Sequence, residues 1–230
     1  MENKTLLSFG AIVLVAVLAG TGWQYFLSHS NQSTAYPPLE RTIPENSPDL
    51  DTAARERTIA DLNNTIEALK ENPTSYQNWV YLGAYRQMLA DYVGAAEAWE
   101  YAVLLNSSTE VAHTNLGYVY MTYLKSYEKA EANYLLALQL NSTNINTYRS
   151  LYELYTYHYK KDTSAAEDIL KQGIKNNAEA VDLHTLLARF YHDAGRVAEA
   201  KEQYNVAINV ARQVGNTSAE DALKKERDSF

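Results

Sequence analysis

Residues 79 to 106, WVYLGAYRQMLADYVGAAEAWEYAVLLN, contain the pattern that decides the fold. Large and small residues stand in it at fixed offsets: Trp79, Leu82 and Gly83 in the first half, and Ala95, Trp99 and Ala102 in the second. Small residues at helical spacing allow two helices to approach each other closely. The stretch therefore predicts a helix, a turn and a second helix packed against the first.

The second half of this pattern recurs three more times before the C-terminus. A small residue is followed four positions later by a large one and three positions after that by a small one: Ala95/Trp99/Ala102, Ala130/Tyr134/Ala137, Ala166/Leu170/Gly173 and Ala200/Tyr204/Ala207. The leading alanines are separated by 35, 36 and 34 residues. An aromatic slot in the first half holds Tyr120, Tyr155 and Tyr191, whereas the first unit has Arg86 there.

This arrangement resembles the tetratricopeptide repeat (TPR), in which W-x2-L-G-x2-Y, A-x3-F and P recur over about 34 residues. The resemblance covers residues 75–212 and implies an all-α fold, a TPR-type right-handed α-solenoid of antiparallel helix pairs. In such a solenoid each unit buries its apolar faces against its neighbours. The predicted helix pairs are 75–89 with 92–105, 109–123 with 126–139, 144–158 with 163–175, and 178–193 with 196–212.

The segment Leu6 to Leu27 is 22 residues long and carries no charge. A helix of that length covers roughly 33 Å, which exceeds a bilayer core of about 30 Å. The sequence therefore predicts one transmembrane helix before the solenoid, with residues 1–27 as a membrane anchor. A cleaved signal peptide is the alternative, since Val17-Leu18-Ala19 offers a small-residue cleavage site.

Charge around this segment predicts its orientation. Lys4 precedes it, and no further Lys or Arg occurs until Arg41, which favours a cytoplasmic N-terminus and an extracytoplasmic repeat domain. The stretch GWQYFLSHS, residues 22–30, is similar to the membrane-exit region of bacterial ancillary translocon subunits, which have one span and carry repeats. That resemblance implies a single-pass protein of the bacterial inner membrane with its repeats in the periplasm.

Three further segments complete the predicted domain organisation. Residues 28–51 are rich in proline and small polar residues, which predicts an extended tether. Residues 52–74 carry a helical apolar pattern that ends at a proline, and they form either a capping helix or a degenerate half-repeat. Residues 213–230 predict a short polar capping helix, because solenoid ends need a polar cover.

Composition and motifs exclude several classes of function. A net charge of −8 repels phosphate backbones, so nucleic acid is not an expected partner. The chain has no cysteine, which removes thiol chemistry. No catalytic constellation, cofactor fingerprint or metal-binding spacing is present. We therefore expect no enzyme activity, cofactor, metal or small-molecule substrate. His113 and His184 stand in the repeat's tryptophan slot and are predicted to be packed rings.

The TPR resemblance implies a ligand groove on the concave face, formed by each first helix. In this chain the corresponding residues are Gln77, Val80, Ala84, Gln87 and Met88; Val111, Thr114, Tyr118, Met121 and Thr122; Asn146, Arg149, Glu153, Thr156 and Tyr157; and Asp182, Thr185, Arg189, His192 and Asp193. The N-terminal half of this set is neutral and apolar, and the other half is polar and charged. A peptide with an apolar segment followed by mixed charge would suit it.

These observations together predict a membrane-anchored, non-catalytic scaffold that binds a peptide or protein partner in its groove. Such a scaffold would serve assembly, secretion or chaperone-like work at the membrane. The alternative is a structural subunit whose solenoids self-associate into a filament or surface assembly. The charged segments at 52–72 and 217–227 argue against end-to-end stacking, because charged caps do not bury well.

Overall fold

The computed structural model of this chain describes residues 36–45, 50–161 and 163–230. All the helices in these ranges lie in one compact unit, residues 42–230. Their secondary structure consists of ten α-helices and one short π-helical segment, and the described ranges contain no β-strand. The all-α class predicted from the repeat pattern is confirmed.

The helices follow one another with short turns between them. Their bounds are α1 Thr52–Glu71, α2 Tyr76–Met88, α3 Tyr92–Leu105, α4 Glu110–Thr122, α5 Tyr127–Leu140, α6 Ile145–Glu153, α7 Ala165–Asn176, α8 Val181–Asp193, α9 Val197–Gln213 and α10 Thr217–Arg227. We call α2, α4, α6 and α8 the first helices, and α3, α5, α7 and α9 the second helices. Each helix packs mainly on its neighbours in sequence, as in a TPR solenoid.

Side-chain caps determine where many of these helices begin. At α3, Asp91 Oδ1 accepts a hydrogen bond from the backbone N–H of Gly94 at 2.9 Å. Other helices begin in the same way, with a side chain that accepts a hydrogen bond from the backbone N–H three positions later. These capping residues are Asp51 before α1, Ser75 before α2, Thr109 before α4, Asn144 before α6 and Asn216 before α10. Such caps satisfy backbone donors that the first helical turn leaves free.

Left-handed backbone recurs at the turn within each helix pair. Ala90, Lys125 and Lys160 adopt φ values of 64°, 53° and 60°, and Gly195 adopts 72°. Glycine reaches this region without strain, whereas an L-residue pays about 1–2 kcal/mol. Only the fourth pair therefore turns without this cost.

Gly195→Ala is expected to lower the free energy of unfolding by about 1 kcal/mol, because the added Cβ strains the left-handed backbone. A Cβ at this position would meet no atom within 4 Å, so a steric clash contributes nothing. The reciprocal variant Ala90→Gly, at the equivalent turn of the first pair, is expected to be neutral or slightly stabilising. Urea unfolding of both variants checks this, and equal losses would contradict it.

Glycine lets the two helices of a pair approach as the sequence pattern predicts. A Cβ added to Gly83 would lie 2.4 Å from Trp99 Nε1, and one added to Gly117 would lie 2.6 Å from the Tyr134 ring. Trp99 is fully buried, and its Nε1 donates to the carbonyl of Val80 at 3.0 Å. The large side chain of each of these second helices thus packs directly on the glycine of the first.

A tyrosine, a carboxylate and a cation join consecutive repeats, and we call this set the inter-repeat clamp. Between repeats 3 and 4, Tyr191 Oη donates to Glu167 Oε1 at 3.0 Å. Arg196 Nη1 lies 2.7 Å from Glu167 Oε2, and its guanidinium carbon lies 4.3 Å from the centre of the Tyr191 ring. Lys171 adds a second ion pair to Glu167 at 2.7 Å.

The two earlier junctions have the same clamp. Between repeats 2 and 3, Tyr155 Oη and Lys160 Nζ each lie 2.6 Å from Glu131 Oε1. Between repeats 1 and 2, Tyr120 donates to Glu100, and Lys129 Nζ lies 4.8 Å from the Tyr120 ring centre. Arg86, in the same slot of repeat 1, is buried and donates to the carbonyl of Gly94 at 3.1 Å.

The predicted membrane location is corrected by the structure. Within residues 36–45, 50–161 and 163–230, no helix is long and apolar enough to cross a membrane. Even α1, the longest at 20 residues, contains charged residues along its length, and charged groups are costly in a bilayer core. The single-pass location with an extracytoplasmic repeat domain is thus contradicted, and the transmembrane helix of the predicted fold lacks support. The proposed span itself, Leu6 to Leu27, lies outside the described residues.

Candidate functional site

Side-chain contacts show that consecutive first helices are neighbours in space and that the C-terminal helix α10 continues their row. Tyr76 Oη lies 2.5 Å from Thr109 Oγ1 and links α2 to the start of α4, and Asn144 Nδ2 donates to Glu110 Oε1 and links the start of α6 to α4. Arg149 Nη1 lies 3.6 Å from Asp182 Oδ2 and links α6 to α8. Arg189 Nε lies 2.6 Å from Glu226 Oε1 and links α8 to α10. The first helices therefore form one continuous row. We call the outward surface of that row the first-helix face.

Most of the residues predicted to form the groove are accessible on this row. The exposed ones are Gln77, Met88, Val111, Tyr118, Asn146, Arg149, Glu153, Tyr157, Asp182, Arg189, His192 and Asp193. The half-buried ones are Ala84, Gln87, Thr114, Thr122, Thr156 and Thr185. A ligand on the first-helix face can therefore reach side chains from all four repeats.

Two predicted groove residues are buried instead. Val80 is 7% exposed and Met121 is 4% exposed, so neither offers a side chain to a ligand. Both belong to the apolar core beneath the face. The position of a residue in a repeat does not fix how far its helix is rotated about its own axis. A residue assigned to the exposed face from its position alone can therefore lie in the core.

The N-terminal half of the face carries an aromatic cluster that the sequence did not reveal. The Tyr118 ring meets the edge of Tyr123 at a centre-to-centre distance of 5.8 Å, and Tyr123 stacks on Tyr92 at 3.7 Å. Tyr92 begins a second helix and Tyr123 follows the end of a first helix. Residues at helix ends fall outside the helical period, so no periodic signal could have identified these two.

The C-terminal half of the face is partly occupied by the chain itself. Arg189 Nη2 donates to Glu226 Oε2 at 2.8 Å, and the His192 ring lies 4.2 Å from that of Phe230. Glu226 belongs to α10 and Phe230 follows it. Two of the predicted groove residues are therefore engaged by the C-terminal segment.

A π-helical segment, Leu154–His158, continues α6 at the centre of the face. The backbone N–H of Tyr159 donates to the carbonyl of Leu154 at 2.7 Å, which closes the wider turn. This segment presents Tyr157 to solvent, while the His158 ring stacks on Tyr127 at 5.3 Å. Single π-turns inside α-helices accommodate an extra residue and are frequent at functional sites.

Two histidines are buried within the repeats. Burial lowers the pKa of His113, whose Nδ1 lies 2.9 Å from Asn133 Oδ1. Burial likewise lowers the pKa of His184, which lies 3.0 Å from the carbonyl of Ala178. Both are packed rings, as predicted. Among the residues that the structure describes, no group of His, Asp and Glu side chains could hold a metal ion.

Comparison with known families identifies the repeats. A family model described as "Tetratricopeptide repeat" matches residues 158–222, and a second model of the same description matches residues 111–144. The chain thus contains tetratricopeptide repeats. No curated protein matches the sequence at a significant level.

Solved structures share the fold. MamA is 18% identical over 72% of this chain and 98% of its own, with a TM-score of 0.57. PilF of Pseudomonas aeruginosa is 17% identical over 75% and 83%, with a TM-score of 0.53. YrrB, described as a TPR protein with an unusual peptide-binding site, is 15% identical over 71% and 90%, with a TM-score of 0.51. At these identities the similarity concerns the fold alone.

Proposed function

We propose that this protein is a non-catalytic scaffold that binds a peptide or protein partner on its first-helix face. The observation that carries the proposal is the continuous row of first helices, in which Met88, Val111 and Tyr118 are exposed. Exposed apolar residues grouped on one surface mark interaction sites, and tyrosine is enriched among binding hot spots. YrrB, with its peptide-binding site, has a similar fold.

We also propose the domain organisation predicted from the sequence, with four TPR units over 75–212. The flanking helices support it. In α1, Leu62, Ile66 and Leu69 are buried, and this helix packs on α2. In α10, Leu223 is buried, and this helix packs on α9. Residues 52–74 and 213–230 act as caps for the two ends of the repeat array, because they cover apolar surface that the terminal repeats would otherwise expose.

Site-specific photocrosslinking tests the proposal. A photoreactive residue is introduced at Tyr118 on the first-helix face, and a matched control carries it at Leu135 on α5. The two side chains are 39% and 38% exposed, so their access to solvent is nearly equal. In cells of the organism that makes the protein, we expect a discrete adduct from position 118 and none from position 135.

The mass of the adduct separates the possible outcomes. A heavier adduct with one other protein, formed at position 118 alone, supports the scaffold and identifies its partner by mass spectrometry. An adduct that joins two copies of this chain would instead support self-association into a larger assembly. Equal labelling at both positions, or none at either, would exclude the first-helix face as the working surface.

A further inference from the structure

Within the described residues, four buried side-chain polar atoms have no hydrogen-bond partner, and the hydroxyl group of Tyr134 is one of them. Tyr134 is fully buried, and within the described residues its hydroxyl has no hydrogen-bond partner. A buried hydroxyl without a partner costs free energy of folding, and such groups are rare in native proteins. Each such group in a native structure needs an explanation, and a role in a functional site is one of them.

The surroundings of this hydroxyl lie on the first-helix face. Burial raises the pKa of Tyr134, and the nearby Glu153 carboxylate and Tyr118 hydroxyl raise it further. The nearby Ser150 hydroxyl lowers the pKa of Tyr134, although the two hydroxyl groups do not meet the geometry of a hydrogen bond. The Tyr134 ring packs against Gly117, the residue before Tyr118. Glu153 stands two positions before Tyr155, as Tyr118 does before Tyr120, so Tyr118 and Glu153 hold equivalent positions on neighbouring first helices.

Glu153 differs in its contacts from Glu110 and Glu226, two other carboxylates near the first helices. Glu110 accepts from Asn144, and Glu226 pairs with Arg189. Glu153 is exposed, and it forms no hydrogen bond or ion pair with any residue in the described part of the chain. Arg149, one turn earlier on the same helix, is paired with Asp182 instead. The centre of the face therefore offers an exposed carboxylate that is not part of an ion pair within the described residues.

We propose that Tyr118, Tyr134 and Glu153 form a subsite for an arginine side chain of the partner, an inference that rests on the proposed function. The guanidinium group pairs with the Glu153 carboxylate and lies against the Tyr118 ring. The Tyr134 hydroxyl accepts one guanidinium N–H in the bound state. Arginine fits because its five N–H donors can serve a carboxylate and a hydroxyl together.

A random peptide library tests this subsite although the partner is unidentified. The full chain is used to select binders from displayed dodecamers, and we expect arginine at a recurrent position beside apolar residues. One selected peptide is then measured by fluorescence anisotropy, together with a copy in which citrulline replaces that arginine. Citrulline keeps the shape of arginine and removes its charge.

Matched variants assign the effect to the subsite. Glu153→Gln is expected to weaken binding of the arginine peptide by about fivefold, and citrulline is expected to weaken binding to the native chain by the same factor. The Glu153→Gln variant should bind the citrulline peptide no more weakly than either single change alone predicts, because both changes remove the same ion pair. Glu128→Gln, an exposed carboxylate on the second helix α5, is expected to leave the affinity unchanged. Tyr134→Phe is expected to weaken binding while the protein becomes no less stable, since the lost hydroxyl had no partner.

The outcomes separate the subsite from the proposed function. If selected peptides lose binding in the Met88→Asp variant but carry no arginine, the subsite is overturned and the face is kept. Full affinity of Glu153→Gln for the arginine peptide would also overturn the subsite alone. If no selected peptide loses binding in the Met88→Asp or the Glu153→Gln variant, the result would count against the subsite and against the first-helix face as a binding surface.

Discussion

Trp99→Ala is expected to lower the free energy of unfolding by about 3–5 kcal/mol, the usual cost of truncating a buried aromatic side chain. Trp99 is fully buried, and its ring occupies the space that Gly83 leaves open. Alanine would leave a cavity between α2 and α3 and would remove the hydrogen bond to the carbonyl of Val80. Urea denaturation followed by circular dichroism measures the loss.

Leu104→Ala is the matched control for this prediction. Leu104 lies on the same helix, α3, and is 54% exposed. Surface substitutions of this kind usually change stability by less than about 0.5 kcal/mol. Comparable losses in the two variants would show that α3 does not bury its tryptophan against the glycine of α2.

Glu167→Gln is expected to lower the free energy of unfolding by about 2 kcal/mol, because hydrogen bonds to charged groups contribute about 1.5–3 kcal/mol. Glu167 is the centre of the third inter-repeat clamp, and its side chain is only 14% exposed. Glutamine keeps the size of the side chain but leaves Arg196 and Lys171 without their shared counter-charge. The exposed carboxylate Glu202, replaced by glutamine, serves as control.

The inter-repeat clamp at Glu167 also predicts that the free energy of unfolding depends on pH. Hydrogen bonds from Arg196 and then Lys171 lower the pKa of Glu167 from 4.5 to about 2. A carboxyl group whose pKa is lower in the folded state stabilises the fold above its unfolded pKa, and this contribution disappears as pH falls through the folded value. We expect the stability difference between the native chain and Glu167→Gln to shrink between about pH 4.5 and pH 2. A constant difference across that range would contradict the clamp.

The helices could be predicted from the sequence because their signals are local. The predicted helices 92–105 and 196–212 correspond to Tyr92–Leu105 and Val197–Gln213. Small and large residues at helical spacing specify which faces meet, and capping side chains mark the starts. The predicted helix 144–158 was less accurate, since α6 ends at Glu153 and a π-helical segment follows. Periodicity alone does not distinguish a π-turn from an α-turn.

The candidate site was only partly predictable. The TPR resemblance assigned its residues to one face of the first helices, and most of them are accessible there, but Val80 and Met121 are buried. The sequence also assigned Tyr120, Tyr155 and Tyr191 to packing positions, and it gave no sign that each donates to a carboxylate of the preceding repeat. The carboxylate in the first repeat stands at a different position of its helix from those in the second and third, so the pairing with tyrosine has no fixed spacing.

The sequence by itself determined the repeat, the helix pairs and the small residues that let paired helices touch, because each of these depends on residues within one repeat. The tertiary structure decided which charges remain available to a partner. Arg189 and Glu226 are 37 positions apart, and their contact depends on how the C-terminal helix α10 packs against the last repeat. The same stacking pairs Arg149 with Asp182 and leaves Glu153 uncompensated within the described residues, since side chains from different repeats meet only once the solenoid is formed.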